Sequence, residues 1–194
     1  QIIAKTSREI GKTQDITGGL PRITELFEAR KPKEPAVIAE IDGIVTFGER
    51  KRGKSTILLT PVDGGEEVVH LVPLGRHIRV RRDDVVKAGD PLVDGPLVPH
   101  DILRISGEEK VENYLLEDIQ KVYRSQGVSI NDKHIEIILQ RMLRKVRIDD
   151  LGDADFKQDI VDKVAFKAKN EEIVTNGGTP AKATQLLIGI TRAS

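Results

Sequence analysis

Asp15-Ile-Thr-Gly-Gly-Leu-Pro-Arg-Ile-Thr-Glu-Leu-Phe-Glu-Ala-Arg-Lys-Pro-Lys-Glu-Pro35 places a glycine pair, a helix start and a basic exit in one continuous run. Gly18 and Gly19 reach backbone angles closed to other residues. Pro21 suits a first helical turn, where its missing N–H is no loss. Leu20, Ile23, Leu26 and Phe27 then recur at helical spacing, so one face is apolar and a helix over about 20–30 is predicted. Arg30, Lys31 and Lys33 follow, with Pro32 and Pro35 ending it. The whole stretch reads as an element that moves rather than as a plain core helix.

Outside this run, composition narrows the classes. The 194 residues hold one or two domains with an ordinary buried core. Aromatic residues make up only 3%, so that core rests on Ile, Val and Leu. With 32% charged residues the chain is expected to be soluble. No apolar run approaches the roughly 20 residues of a membrane span, and no secretory apolar segment opens the chain. Cysteine is absent, which excludes disulfides, cysteine zinc sites and thiol catalysis. The 31 basic and 31 acidic residues cancel, so nucleic-acid binding has to come from local patches. Gln1 opens the sequence and Met142 is its one methionine, which reads as a piece of a longer protein.

Along the chain, residues 1–14 read as an extended lead-in. From Ala36 the pattern turns β-like, in runs 36–47, 55–62, 66–74, 77–80 and 85–93 separated by turn clusters such as Asp63-Gly64-Gly65. Val85-Val-Lys-Ala-Gly-Asp-Pro-Leu-Val93 reads either as the tight turn of a barrel-sandwich module or as an ordinary hairpin. After Pro99 the pattern is helical. Val111, Leu115, Ile119 and Val122 share a face, with Gly127 as the C-terminal cap. Residues 129–132 supply capping groups for a next helix carrying Ile135, Ile138, Leu139 and Met142 on one side. The short connection predicts an antiparallel helical hairpin. Residues 149–160 read as an acidic loop, 161–176 as a helix, and Gly177-Gly-Thr-Pro180 as a turn before the apolar end 186–190. The fold class expected is α+β: a small β-rich, barrel-sandwich-like module over 35–100, preceded by a lead-in and helix over 1–34 and followed by a mainly helical region over 101–194.

Several patterns bear on chemistry. Asp149, Asp150, Asp153, Asp155 and Asp159 supply hard oxygen ligands of the kind Mg²⁺ or Ca²⁺ takes, or simply a solvated acidic loop. Lys157 in their midst repels a cation, and the calcium-loop glycine is missing. His70, His77, His100 and His134 are scattered, with no zinc spacing. Gly48-Glu-Arg-Lys-Arg-Gly-Lys-Ser55 fits a phosphate-loop pattern letter for letter, yet the strand-like run after it predicts a charged turn instead of a helix start. Three basic groups remain: Arg30, Lys31 and Lys33; Arg50, Lys51, Arg52 and Lys54; Arg76, Arg79, Arg81 and Arg82. Each is able to neutralise phosphates without reading bases, or to serve as a solvated face balanced by nearby acids.

The run Gln14 to Pro35 resembles the C-terminal arm of the trigger loop in the largest catalytic subunit, beta-prime, of bacterial DNA-directed RNA polymerase. Pro35-Ala-Val-Ile-Ala-Glu-Ile-Asp-Gly-Ile-Val-Thr-Phe-Gly48 and Thr60-Pro-Val-Asp-Gly64 resemble the jaw of that family. The blocks 94–104, 122–137 and 142–145 are similar to further family blocks, and Leu186-Leu-Ile-Gly-Ile-Thr-Arg-Ala-Ser194 resembles the switch segment near the clamp hinge. Gln140-Arg141 reverses the expected order, and Arg192 stands where lysine is usual, keeping the charge but changing the geometry of phosphate contact.

The resemblance implies a part in nucleotidyl transfer, with Thr17, Gly18, Gly19, Leu20 and Pro21 as the hinge of a lid over the triphosphate. It implies phosphate contacts from Arg30, Lys31 and Arg192 to downstream duplex DNA. Catalytic residues and metal ligands are expected outside this chain, so that Mg²⁺ serves the intact enzyme and none binds here. Asp153-Ala-Asp-Phe-Lys-Gln-Asp159 is similar to the family's Mg²⁺ loop, but Lys157 replaces its middle aspartate and Gln158 its glycine. Implied partners are the other polymerase subunits (beta, alpha, omega and sigma), DNA and transcription regulators, in the bacterial cytoplasm at the nucleoid and without a membrane. The alternative is a noncatalytic module that binds DNA and regulators.

Overall fold

Period-two apolar residues build the first half of the computed structural model, which describes residues 19–49, 53–62 and 64–193. Strands β1 (Gly43–Phe47), β2 (Lys54–Thr60), β3 (Val68–Pro73) and β4 (Val85–Val86) form an antiparallel sheet in the order β3-β2-β1-β4. Its register pairs Val45 with Leu59, Ile57 with His70 and Ile44 with Val85. Because successive side chains point to opposite faces, Val45, Ile57, Leu59, Val72 and Val86 are buried on one side, where Ala39, Leu92 and Val93 complete a core. Ile44, Val69, Leu71 and Val85 stay exposed on the other side.

Two expected runs prove shorter. Outside β1, residues 36–42 form no continuous ladder, only a bridge from Ile38 to Pro91 with the Ala36 N–H on the Pro96 carbonyl and the Gly89 N–H on the Ala39 carbonyl beside it, and 77–80 form only a bridge from Ile78 to Val93. Side chains capture donors that a continuous ladder would need: Asp42 Oδ1 accepts the Ala88 N–H at 2.6 Å, and Asp90 Oδ2 accepts the Lys87 N–H at 2.9 Å. The run 85–93 does turn tightly at residues 88–89, but it is not a simple hairpin. Its first arm pairs with Gly43 and Ile44 and its second bridges to Ile38 and Ile78. Lys54 and Ser55 lie in β2 and open no helix, which removes the phosphate-loop reading; residues 50–52 of that pattern, and with them the expected charged turn, lie outside the described residues.

The helical half forms around a stripe of four-residue spacing. Helix α1 (Leu20–Phe27) precedes the sheet, and α2 (Pro99–Ser106), α3 (Glu108–Ser125) and α4 (Asp132–Met142) follow it. Acidic Glu108 and Glu109 open α3 and Arg124 closes it, both complementing the helix dipole. The helix ends as expected at Gly127, whose φ of 72° lets the Val128 N–H reach the Tyr123 carbonyl and its own N–H reach Arg124. Asn131 caps α4 by accepting the Lys133 N–H at 3.0 Å. Val111, Leu115, Ile119, Ile135, Leu139 and Met142 then share one core. Gln120, buried in α3, donates to the Ile130 carbonyl and the Asp132 carboxylate and holds the connection down.

Beyond α4 the chain departs from expectation. A helix forms within the 161–176 foreseen for one, but the acidic loop foreseen over 149–160 and the residues after the turn at 177–180 contribute to an unforeseen second antiparallel sheet, β5 (Lys145–Asp150), β6 (Ile160–Asp162) and β7 (Lys182–Gln185), in the order β6-β5-β7. Helix α5 (Lys163–Thr175) packs beside it, capped by Asp162, which accepts the Val164 N–H at 3.0 Å. Phe156 and Phe166 stack at 5.8 Å over Ala154, Ile173 and Ala181. Gln185 then donates to the carbonyls of Leu143 and Lys145, and the Ile188 N–H reaches Met142, steering the last residues along the end of α4 into the short α6 (Ile190–Ala193). No described helix is long and apolar enough to cross a membrane.

Leu115 is fully buried, whereas Ile137 on α4 is 59% exposed. Leu115→Ala is expected to lower unfolding free energy by about 2–5 kcal/mol, and Ile137→Ala to change it by less than about 0.5 kcal/mol. Denaturant titration of both variants checks the contrast.

Candidate functional site

Helix α1 has eight residues, below the roughly 12–15 that hold a helix in water without tertiary support. Its N-terminus has no side-chain cap and no acidic residue in the first turn. Gly19, the N-cap residue, sits at φ 82° and ψ −148°, a conformation that glycine adopts far more readily than any residue bearing a side chain. Pro21 lies in the first turn, where its absent N–H is not needed. Local signals alone are therefore too weak to make α1 persist, and its docking has to.

That docking is specific. Ile23, Leu26 and Ala29 are buried, and Phe27 packs beside Leu26 on the core of α3 and α4. Arg22 reaches Glu25 at 2.7 Å within the helix and Asp118 of α3 at 2.8 Å, with the Tyr114 hydroxyl 3.5 Å away. Burial alone would lower the Arg22 pKa, but the hydrogen bonds to Asp118 and Glu25 outweigh it and the guanidinium is raised further. Tyr114 donates to the Leu97 carbonyl at 3.3 Å, and burial together with the Asp118 charge pushes its phenol up to about 12. One cation thus fastens α1 to α3 beside a phenol held neutral.

The far end of α1 meets the end of the chain. The predicted helix over 20–30 stops at Phe27 because Ala29 turns to φ 49°, a left-handed angle uncommon for a residue with a side chain. Glu28, just before that turn, accepts the Thr191 hydroxyl of α6. Glu28 and Arg192 line one cleft of about 280 Å³, together with His100, Ile160 and the backbone run 186–189.

Of the residues foreseen as a hinge, Thr17 and Gly18 lie outside the described residues. Gly19 is the left-handed N-cap residue, and Leu20 and Pro21 open α1. Arg30, Lys31 and Lys33 emerge exposed just past the Ala29 turn, and Arg192 is exposed on α6; none of the four forms an ion pair among the described residues. The other basic groups fare differently. Arg50, Lys51 and Arg52 lie outside the described residues. Arg76 is a strap, bonded to the Glu34 carboxylate at 2.6 Å and to the carbonyls of Glu34, Pro35 and Asp94. Arg79 and His77 share Asp94.

The acidic run does not form a metal centre among the described residues, where no group of three potential ligands converges. Its carboxylates have other work. Asp150 accepts the Gly152 N–H at 3.1 Å and Asp153 accepts the Thr179 N–H at 2.7 Å, bracing the loop. Asp149 is bonded by the Thr184 hydroxyl and by Arg147, which hold its carboxyl below the usual range. His70 is buried in the sheet core, where desolvation holds its imidazole below the ordinary value despite nearby Glu40. Glu40 in turn pairs with Arg104 of α2 at 2.7 Å, a tie from the first sheet's side to the helices.

Sequence reasoning missed Arg22, Glu28, Tyr114, Asp118 and Thr191. The Arg22–Glu25 spacing was a visible local signal. The deciding tertiary partners lie far away in sequence, 96 residues for Arg22 with Asp118 and 163 for Glu28 with Thr191.

A docked helix that starts on a positive-φ glycine, an antiparallel β module and exposed cations just past the helix are the features to set beside known proteins. Residues 7–194 match the family described as RNA polymerase Rpb1, domain 5, and the chain belongs to that family. A relative of bacterial type is the DNA-directed RNA polymerase subunit beta′ of Bdellovibrio bacteriovorus, 53% identical over 194 residues. That alignment covers 100% of this chain and 14% of the relative, so the chain spans a small part of the protein it matches.

The raised Tyr114 phenol has a pH consequence. A folded pKa of about 12 lies above the ordinary value of 10.0, so the neutral phenol is favoured in the folded state. The associated stability is complete below pH 10 and is lost as pH rises from there through about 12. Ultraviolet titration should show a tyrosinate transition near 12 that Tyr114→Phe removes; a titration of Tyr114 at 10 would contradict the docking geometry.

Proposed function

We propose that this chain works within the catalytic subunit of a DNA-directed RNA polymerase, as the hinged arm of a lid and a support for downstream duplex DNA. One observation carries the reading. The chain matches a beta′ relative along its whole length, and within that match α1 starts on a left-handed glycine and persists only through tertiary docking. A helix of that kind forms and melts at small free-energy cost, as a lid over a bound triphosphate requires.

In this reading Thr17, Gly18, Gly19, Leu20 and Pro21 absorb the backbone change while the rest of α1 stays on α3. Arg30, Lys31 and Arg192 neutralise DNA phosphates, a contact that positions the duplex without reading sequence. The Mg²⁺ ions and the residues that hold them belong to other parts of the enzyme. The beta, alpha, omega and sigma subunits and transcription regulators are the partners, in the bacterial cytoplasm at the nucleoid. A second reading, a noncatalytic module that docks regulators, draws support from the exposed apolar side chains Ile44, Val69, Leu71 and Val85 on the outer sheet face.

Gly19→Val forces a β-branched residue into a left-handed angle, so the assembled polymerase carrying it is expected to add nucleotides severalfold more slowly at saturating triphosphate. Unchanged single-turnover addition would remove the hinge assignment. For DNA, Arg192→Ala should reduce the steepness of log affinity against log salt by about 0.9, the share of one phosphate contact. A duplex titration across salt concentrations measures it.

A further inference from the structure

We propose that Thr191 and Glu28 form a positioning pair: the Thr191 hydroxyl occupies the Glu28 carboxylate, sets the turn that carries Arg192, and leaves the Arg192 charge available to phosphate. The inference rests on the DNA-contact reading of Arg192 above.

The geometry is a closed chain of constraints. On one side, Glu28 follows directly on α1, whose Leu26 is buried and whose Arg22 is tied to Asp118 at 2.8 Å. On the other side, Leu187 is buried in the helical core and the Ile188 N–H is bonded to Met142 at 2.9 Å. Between them Gly189 lies against Glu28 with no room for a side chain. A Cβ there would fall 2.6 Å from Glu28 Oε2, 2.8 Å from its carbonyl oxygen and 3.0 Å from its Cα. The Gly189 carbonyl then accepts the N–H groups of Arg192 at 3.0 Å and Ala193 at 3.1 Å, forming the single turn of α6. Where Gly189 and Thr191 sit therefore dictates where Arg192 projects.

Charge gives the pair its second effect. Glu28 and Arg192 line the same cleft, so an ion pair between them is the obvious competitor for any phosphate. In the structure Glu28 instead accepts the Thr191 O–H, with the Thr191 N–H a further 3.4 Å away, and Arg192 forms no ion pair among the described residues. A neutral hydroxyl satisfies the carboxylate without spending the cation. Loss of that hydroxyl frees Glu28 to take Arg192 and loosens the turn, and either change withdraws one phosphate contact. Glu28 also terminates the hinged arm, so this contact joins the lid to the DNA-facing segment.

The test uses the assembled polymerase and the salt dependence of its binding to downstream duplex. Thr191→Val is expected to lower the salt slope by about 0.9, as much as Arg192→Ala, and to add nothing to Arg192→Ala in the double variant. Thr191→Ser keeps the hydroxyl and should restore the parental slope, which a merely structural loss of packing would not reproduce. An Arg192→Ala effect with an unchanged Thr191→Val slope, or additive losses in the double variant, overturns the positioning pair and leaves the DNA-contact reading standing. A silent Arg192→Ala removes the DNA-contact reading itself, and the pair's role with it.

Discussion

The buried stripe of α3 is the constraint on which the rest depends. Val111, Leu115 and Ile119 are all fully inaccessible, and α1, α2, α4 and the end of the chain pack on the core they anchor. Each of those elements is short or irregular and gains persistence from apolar contact rather than from its own hydrogen bonds. Close packing makes the arrangement unforgiving: volume removed from the stripe is felt by every element resting on it. The first sheet has a separate core, and Glu40 just before β1 reaches α2 through a polar tie to Arg104, which orients without demanding apolar area.

Helix α1 shows that dependence most plainly. Its residues carry enough apolar surface to dock and too little local stability to stand free. The buried part of the attachment, Ile23, Leu26 and Ala29, lies towards the C-terminal side, while the N-terminal side rests on a glycine and an uncapped first turn. The fixed end carries Glu28 and, just beyond the Ala29 turn, the exposed cations Arg30 and Lys31. A proposed lid hinge and a proposed phosphate-contacting exit thus occupy opposite ends of one eight-residue helix.

Much of this was legible residue by residue. The period-four stripe of α3, the Gly127 stop and the Asn131 cap are local signals, and each appears where expected. The second sheet was not foreseen, for unequal reasons. Lys145-Val-Arg-Ile-Asp-Asp150 alternates apolar and charged residues and was readable as a strand. Lys182-Ala-Thr-Gln185 carries no apolar pattern at all, because it pairs through its backbone with β5 and buries little. Among basic residues, Arg76 and Arg192 look alike in sequence. One is a strap across three carbonyls and the other an exposed cation, since the deciding partners, Glu34 and Asp94, are brought to Arg76 by loops far from it.

By itself the sequence determined the α+β class, the helical stripe, the start of α1 at Gly19 and Pro21 and the kinship with the polymerase subunit. These follow from spacing, backbone freedom and identity along the chain, all of which are properties of neighbours. Only the tertiary structure decided that Arg22 docks on Asp118 and that Glu28 meets Thr191. It also decided that Asp150 and Asp153 of the acidic run brace its loop. Those outcomes depend on which distant carboxylates and donors folding brings within hydrogen-bond reach, and no local pattern records that distance.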